Sequence, residues 1–230
     1  MHDPVVLRAV VDEAQARHWH AQIEAQAALL PAGHPDLQPT SGSMRLLALG
    51  PERFEALLGD VLGGAAGALV RNRLGPRPRV LARQCWARRQ WPPSLRPAGQ
   101  APHAWHQDGA LHARFENPGE TLLPLQTVWV PLVACGADAP SLEWIDVPTN
   151  ELLPPAALTD DAVHARHGPG ARRHAVLQGG DALAFGGSLL HRTHVTPEMT
   201  QARLSVEFRL VGAAEETPRL ADELRCPWTP

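Results

Sequence analysis

His106, Gln107 and Asp108 place an imidazole and a carboxylate two positions apart, and along a strand that spacing puts both on one face with Gln107 on the other. Such a pair can grip one metal ion. A third donor stands far downstream at His191, where GGDALAFGGSLLHRTH reads as a turn and a strand leading into the histidine. Two His and one Asp, with no cysteine beside them, match the facial triad that holds non-haem Fe(II) and leaves coordination positions open. An H-x-D by itself says little in a chain with 12 histidines, so the residues around it decide. If a 2-oxo acid chelates the metal, its far carboxylate needs a cation, and Arg203 follows His191 by twelve positions at the start of an alternating stretch. An antiparallel return would bring it beside the metal, although a solvated strand face also fits an arginine there.

The elements that must position these residues follow from periodicity and punctuation. Val5 to Leu30 is rich in Ala, Glu and Gln without Pro or Gly and predicts a helix, ended by Pro31, Gly33 and Pro35. After Pro51, the residues Phe54, Leu57, Leu58, Val61 and Leu62 have the spacing of one apolar helix face, with a break expected at Gly63 and Gly64. Beyond Pro78 the chain turns to short Val-, Trp- and Phe-containing segments at 80–88, 103–108, 125–133, 141–147, 174–178, 181–185 and 202–211. No helices of ten residues separate them, which points to an antiparallel β architecture and a single α+β domain. In the last segment Leu204, Val206, Phe208 and Leu210 alternate with Arg203, Ser205, Glu207 and Arg209, giving one apolar and one polar face.

Composition narrows the functions. The chain has 230 residues, 44% of them hydrophobic, and a net charge of −3. At that length one domain buries enough surface to fold without disulfides or a structural metal. Every basic residue is Arg; the absence of Lys and Tyr removes Schiff-base chemistry, the P-loop lysine and a tyrosine acid. The near-neutral balance and scattered arginines argue against nucleic acid as a partner. Cys85, Cys135 and Cys226 show neither zinc spacing nor a disulfide framework. No apolar h-region and no stretch of 18 apolar residues occurs, so a cytoplasmic protein with no membrane partner is expected.

HQD together with GDALAFGGSLLHRTHVTPEMTQARLSVEFR resembles the phytanoyl-CoA dioxygenase-like branch of the Fe(II)/2-oxoglutarate-dependent dioxygenases, over roughly Val80 to Val211. The resemblance implies a double-stranded β-helix, a jelly-roll or cupin-like barrel with helices packed outside. It implies a mainly helical part at 1–78, a barrel core at 79–212 and a tail at 213–230. Its iron ligands would be His106, Asp108 and His191; Arg203 and Thr193 would bind the far carboxylate of 2-oxoglutarate, and Gln84, with Gln126 behind it, would touch the co-substrate. His194 is an alternative to His191, but the family's spacing to the arginine is closer to twelve residues than to nine, and Thr193 then falls on the right face. The implied cofactors are Fe(II), 2-oxoglutarate and dioxygen, with succinate and CO2 released as a small molecule is hydroxylated. Halogenating relatives carry a small residue where this chain keeps Asp108, which favours hydroxylation or another hydrogen abstraction. Trp86, Trp105 and Trp129 would line the barrel, and Arg88, Arg89, His103 and His112 would lie near its mouth, as a solvated rim. His164, His167 and His174 read as surface residues. The competing readings are a cupin-like metal oxygenase or isomerase that does not use 2-oxoglutarate, and a non-catalytic barrel that binds without turnover.

Overall fold

A computed structural model describes residues 4–111, 113–116 and 119–213; His112, Cys226 and nearly all of the expected tail lie outside the described residues. The chain opens with a strand, β1 (Val5–Leu7), and enters α1 (Glu13–Leu29) at Asp12. The Asp12 carboxylate accepts from the Gln15 N–H at 2.8 Å, and the Gln15 side chain accepts from the Asp12 N–H at 3.1 Å. This capping box starts the helix. The helix expected from Val5 therefore begins only at Glu13, because Val5–Leu7 finds ladder partners in Ala182–Ala184 instead. Two more short strands, β2 (Leu37–Gln38) and β3 (Ser43–Arg45), precede α2 (Pro51–Leu62) and α3 (Ala65–Leu74), which part at the Gly63–Gly64 break. The mainly helical first part thus also contributes three strands, too short to leave a period in the sequence.

The remaining strands are β4 (Arg79–Val80), β5 (Trp86–Gln90), β6 (Leu125–Pro131), β7 (Ser141–Ile145), β8 (Arg172–His174), β9 (Ala182–Gly186), β10 (His191–His194) and β11 (Arg203–Val211), with α4 (Asp160–His167) between β7 and β8. Two expected strands are not formed. The segment 103–108 makes a single bridge, His106 to His191, and 174–178 keeps only the bridge between Leu177 and Cys135 beyond the end of β8. Pairing is antiparallel throughout the named strands. A large sheet runs β1-β9-β6-β11-β5-β3-β2, with β4 beside the end of β11, and a small sheet runs β10-β7-β8.

Strand β11 divides the molecule. Its Leu204, Val206, Phe208 and Leu210 are buried against Phe54, Leu57, Leu58 and Val61 of α2 and Trp19 and Ile23 of α1, so the helical layer covers the outer face of the large sheet. The alternate residues Arg203, Ser205, Glu207 and Arg209 are also buried, and their register sets them beside Trp86 and Arg88 of β5 and Thr127 and Trp129 of β6 on the opposite, inner face. Across from that face, Trp129, Leu183 and Phe185 meet Leu142 and Trp144 of the small sheet in a second apolar cluster. The polar face of β11 is therefore the interior of a two-sheet enclosure and not a solvated surface. No helix among the described residues is long and apolar enough to cross a membrane.

Phe208 is fully buried, its ring 6.4 Å from that of Phe54 where sheet and helices meet. Phe208→Ala should cost about 3–5 kcal/mol in urea denaturation; a loss below about 1 kcal/mol would show that the helical layer is not fastened to the sheet there.

Candidate metal centre

His106, Asp108 and His191 each offer one donor atom, and the three atoms lie within 4.8 Å of one another; among the described residues no other group of His, Cys, Asp or Glu does so. His106 Nε2 lies 3.7 Å from Asp108 Oδ1, and the two imidazole centroids are 4.2 Å apart. Each imidazole sits with Nδ1 against a carbonyl oxygen, Ala104 for His106 (2.7 Å) and Leu189 for His191 (2.9 Å). A carbonyl only accepts, so Nδ1 carries the proton in both rings and Nε2 keeps its lone pair for a metal. Burial, and then the neighbouring His191, push the His106 pKa far below its ordinary value, which keeps that ring neutral.

His106 and Asp108 share a side through a different device from the expected strand. His106 exchanges both backbone hydrogen bonds with His191 (2.9 and 3.0 Å), and Asp108 begins a short 3-10 turn, Asp108–Ala110. That turn is stitched down by Gly109 N–H to Gly187 C=O and by Leu123 N–H to Gly109 C=O, both at 2.8 Å. The two backbones cross so closely that a Cβ on Gly109 would come within 2.8 Å of the Leu123 oxygen, and one on Gly187 would come equally close to the same atom. Glycine at both positions is what lets the segment bearing His106 and Asp108 lie on the segment leading to His191.

Both oxygens of Asp108 are held. Oδ2 accepts from the Thr127 hydroxyl at 2.6 Å, and Oδ1 accepts from Arg209 Nη2 at 2.7 Å. Arg209 also pairs with Glu207 at 3.0 Å and donates to the Gln84 carbonyl at 3.0 Å. Glu207 in turn pairs with Arg88 at 2.7 Å, and Arg88 donates to His103 Nε2 at 2.6 Å. The result is a buried string of alternating charge, Asp108, Arg209, Glu207 and Arg88, ending at a neutral imidazole. Burial works against the Asp108 carboxylate, but Arg209 above all holds its pKa far below the usual range. Burial likewise opposes Glu207, and Arg209 and Arg88 outweigh it, holding the carboxyl at about 2.

A cavity of about 320 Å³ opens on His106 and Asp108, with Gln38, Gln84, Trp86, Arg88, His103 and Arg209 in its wall. Gln84 thus stands at the cavity, whereas Gln126 faces the other way and accepts from Arg73 of α3 at 3.0 Å. Arg203 lies inside the enclosure, 1% exposed, with its guanidinium 5.0 Å from the Trp129 ring centre. Thr193 is buried on the same side of β10 as His191, while His194 points outward, where it stacks on His174 and faces Glu143 at 3.5 Å. Trp86 and Trp129 are on strands and turn inward; Trp105 is on no strand and packs outside the enclosure beneath Arg172 and Arg192. Arg88 and His103, expected on a solvated rim, are members of the charged string, and Arg89 pairs with Glu24 on the outer side. Thr127, Glu207 and Arg209 escaped the sequence reading. The signal that could have found them is Arg203 and Arg209 at even spacing on one strand face with Glu207 between them.

The same electrostatics set a pH dependence for the metal-free protein. Burial first, and then Arg88, lower the His103 pKa from 6.5 to about 4. Between those values the unfolded chain binds a proton that the folded chain refuses, so stability falls as pH drops through that window; Glu207 adds to the loss between 4.5 and about 2. Urea midpoints measured at pH 7.5, 5.5 and 4.5 should decrease in that order, and an equal midpoint at all three would contradict a neutral His103.

No family model matches the chain, and no curated protein matches it. Solved structures do. The chain is similar in fold to SnoN, a non-heme α-ketoglutarate-dependent epimerase from nogalamycin biosynthesis, at TM-score 0.64 and 19% identity over 99% of this chain and 89% of that one. It is similar to HygX from Streptomyces hygroscopicus, solved with nickel and 2-oxoglutarate bound, at TM-score 0.61 and 16% identity over 96% and 90%. It is similar as well to EctD from S. alaskensis with bound Fe, at TM-score 0.63 and 17% identity over 95% and 79%. At these identities the likeness is one of fold.

Proposed function

We propose that this chain is an Fe(II)- and 2-oxoglutarate-dependent dioxygenase with a double-stranded β-helix core, of the phytanoyl-CoA dioxygenase-like kind, that hydroxylates a small molecule. The observation that carries the reading is the pairing of the donor set with Arg203. Two imidazoles and one carboxylate suit Fe(II) and leave positions for a chelating co-substrate. Inside the same enclosure the Arg203 guanidinium is buried with Nε and Nη1 lacking any hydrogen-bond partner among the described residues. Burial lowers its pKa only to about 10, so it stays charged at neutral pH. A buried cation short of acceptors is costly, and the far carboxylate of 2-oxoglutarate would satisfy it. Structures similar in fold, including HygX with nickel, 2-oxoglutarate and hygromycin B bound, support both the co-substrate and a small-molecule substrate.

In this reading His106, Asp108 and His191 hold the iron, which supplies the activation of dioxygen. The chain's own residues do the rest. The Ala104 and Leu189 carbonyls fix the imidazole tautomers, Arg203 and Thr193 orient the co-substrate, and Gln84 and Trp86 shape the cavity in which the substrate meets the iron. The retained Asp108 favours hydroxylation over halogenation. The epimerase SnoN is an example of a different reaction on a similar fold.

Anaerobic addition of Fe(II) and then 2-oxoglutarate should produce the weak visible charge-transfer band of the chelate. Arg203→Ala should abolish that band while leaving Fe(II) affinity within about threefold. Iron binding without a band in the parent protein would favour a cupin-like enzyme that does not use 2-oxoglutarate, and no iron binding would end the metal assignment. The ligands should also differ in their effect on the fold. His106→Ala should lose iron with an unchanged thermal melt, whereas Asp108→Ala strands the buried Arg209 and should cost about 3–5 kcal/mol besides. Equal melts for the two variants would contradict the role given to the Arg209 pair.

A further inference from the structure

The string behind Asp108 bears on how that carboxylate is presented. A carboxylate offers two oxygens and about four lone-pair sites, and a free one can take a metal with one oxygen or with both. Here the two oxygens are distinguished. Oδ1 faces the imidazoles, 3.7 Å from His106 Nε2, and gives its other side to Arg209. Oδ2 is turned to Thr127, whose hydroxyl is fully buried on the inner face of β6 and donates to it at 2.6 Å. Arg209 is held in place on two more sides: its Nη1 donates to Gln84 C=O, and its Nη2 pairs with Glu207, which Arg88 holds from the far side.

We infer that Thr127 and Arg209 are positioning residues that lock Asp108 as a one-oxygen ligand. The inference rests on the metal-centre reading above. Its consequence is a count. Two imidazoles and one oxygen leave three of six octahedral positions for incoming ligands, whereas a second carboxylate oxygen would take one of them and compete with a chelating co-substrate. Thr127 is the decisive member, because it alone occupies the oxygen that would otherwise turn to the metal, and Arg209 prevents the carboxylate from rotating about its own bond to free it.

The test uses Co(II) as an optical probe of coordination, with 2-oxoglutarate titrated into the Co(II)-loaded protein. Thr127→Val keeps the side-chain volume and removes only the donor. It should alter the position or intensity of the visible cobalt bands and weaken 2-oxoglutarate binding about tenfold or more, with one equivalent of Co(II) still bound. Thr127→Ser, which restores a hydroxyl, should return both readouts toward those of the parent. Arg209→Ala should give the same spectral change where it folds; because it leaves Asp108 and Glu207 without their shared cation, the Thr127 pair decides the matter if it does not. A folded Thr127→Val with the parent's cobalt spectrum and 2-oxoglutarate affinity would overturn the inference. Failure of the parent protein to bind Co(II) at all would instead remove the metal-centre reading on which it rests.

Discussion

Burying charge is costly unless it is paired, and this protein buries a great deal of it in the strand that forms the middle of its large sheet. Arg209 and Glu207 of β11 lie inside the enclosure with Arg88 and Asp108, each at most 8% exposed except Arg88, whose side chain is 11% exposed. Their sequence of signs is what makes the burial tolerable, and breaking any link would leave an uncompensated charge in a low-dielectric interior. The metal donors depend on this string, since Asp108 is its terminal member. The outer face of the same strand is wholly apolar and fastens the helical layer, so one nine-residue segment joins the hydrophobic core to the candidate metal centre.

The division of labour between the two sheets follows. The large sheet supplies the charged wall and the hydrophobic base through Trp129, Leu183 and Phe185, while the small sheet supplies His191 and, from the same face, Thr193. Phe185 reaches across to His191 with ring centres 4.7 Å apart, so the imidazole is seated between that apolar ring and the His106 ring, whose centre is 4.2 Å away. A histidine placed in this way keeps its orientation before anything binds. Arg203, at the other end of β11 from Arg209, sits apart from the string and is left with unsatisfied donors.

Much of this was legible in the sequence where a period or a spacing carried it. The alternation of β11, the helix face from Phe54 to Leu62 and the break at Gly63–Gly64 are each local patterns, and the structure forms those elements; the even spacing of His191 and Thr193 puts both on the buried side of β10. What failed was the inference from polarity to exposure. Arg88 and His103 read as a solvated rim because charged residues are rarely buried, Glu207 and Arg209 read only as the polar face of a strand, and the pairing among them spans distances in sequence that no local pattern records. Strands β1, β2 and β3 were missed for a simpler reason, since two or three residues form no period and are set by their partners alone. The convergence of His106 and Asp108 was foreseen through a strand that does not exist. The paired backbone of His106 and His191 and the 3-10 turn at Asp108 achieve it instead.

The crossing of Gly109 over Gly187 has a consequence for how such a protein can change. Four backbone hydrogen bonds around that point tie His106, Gly109, His191 and Gly187 to one another and to the start of β6, and a fifth comes from Leu123, just before β6. Described residues of the connections on either side, Leu111 and Phe115 to Leu122 among them and Asn150 to Pro154, line the cavities and carry none of the three donors. Insertions, deletions or exchanges in those connections would remodel what enters while the donors stay in register. The scaffold is in that sense divided between a part on which the placement of the three donors depends, two glycines and a paired backbone, and a part that can change shape without moving them.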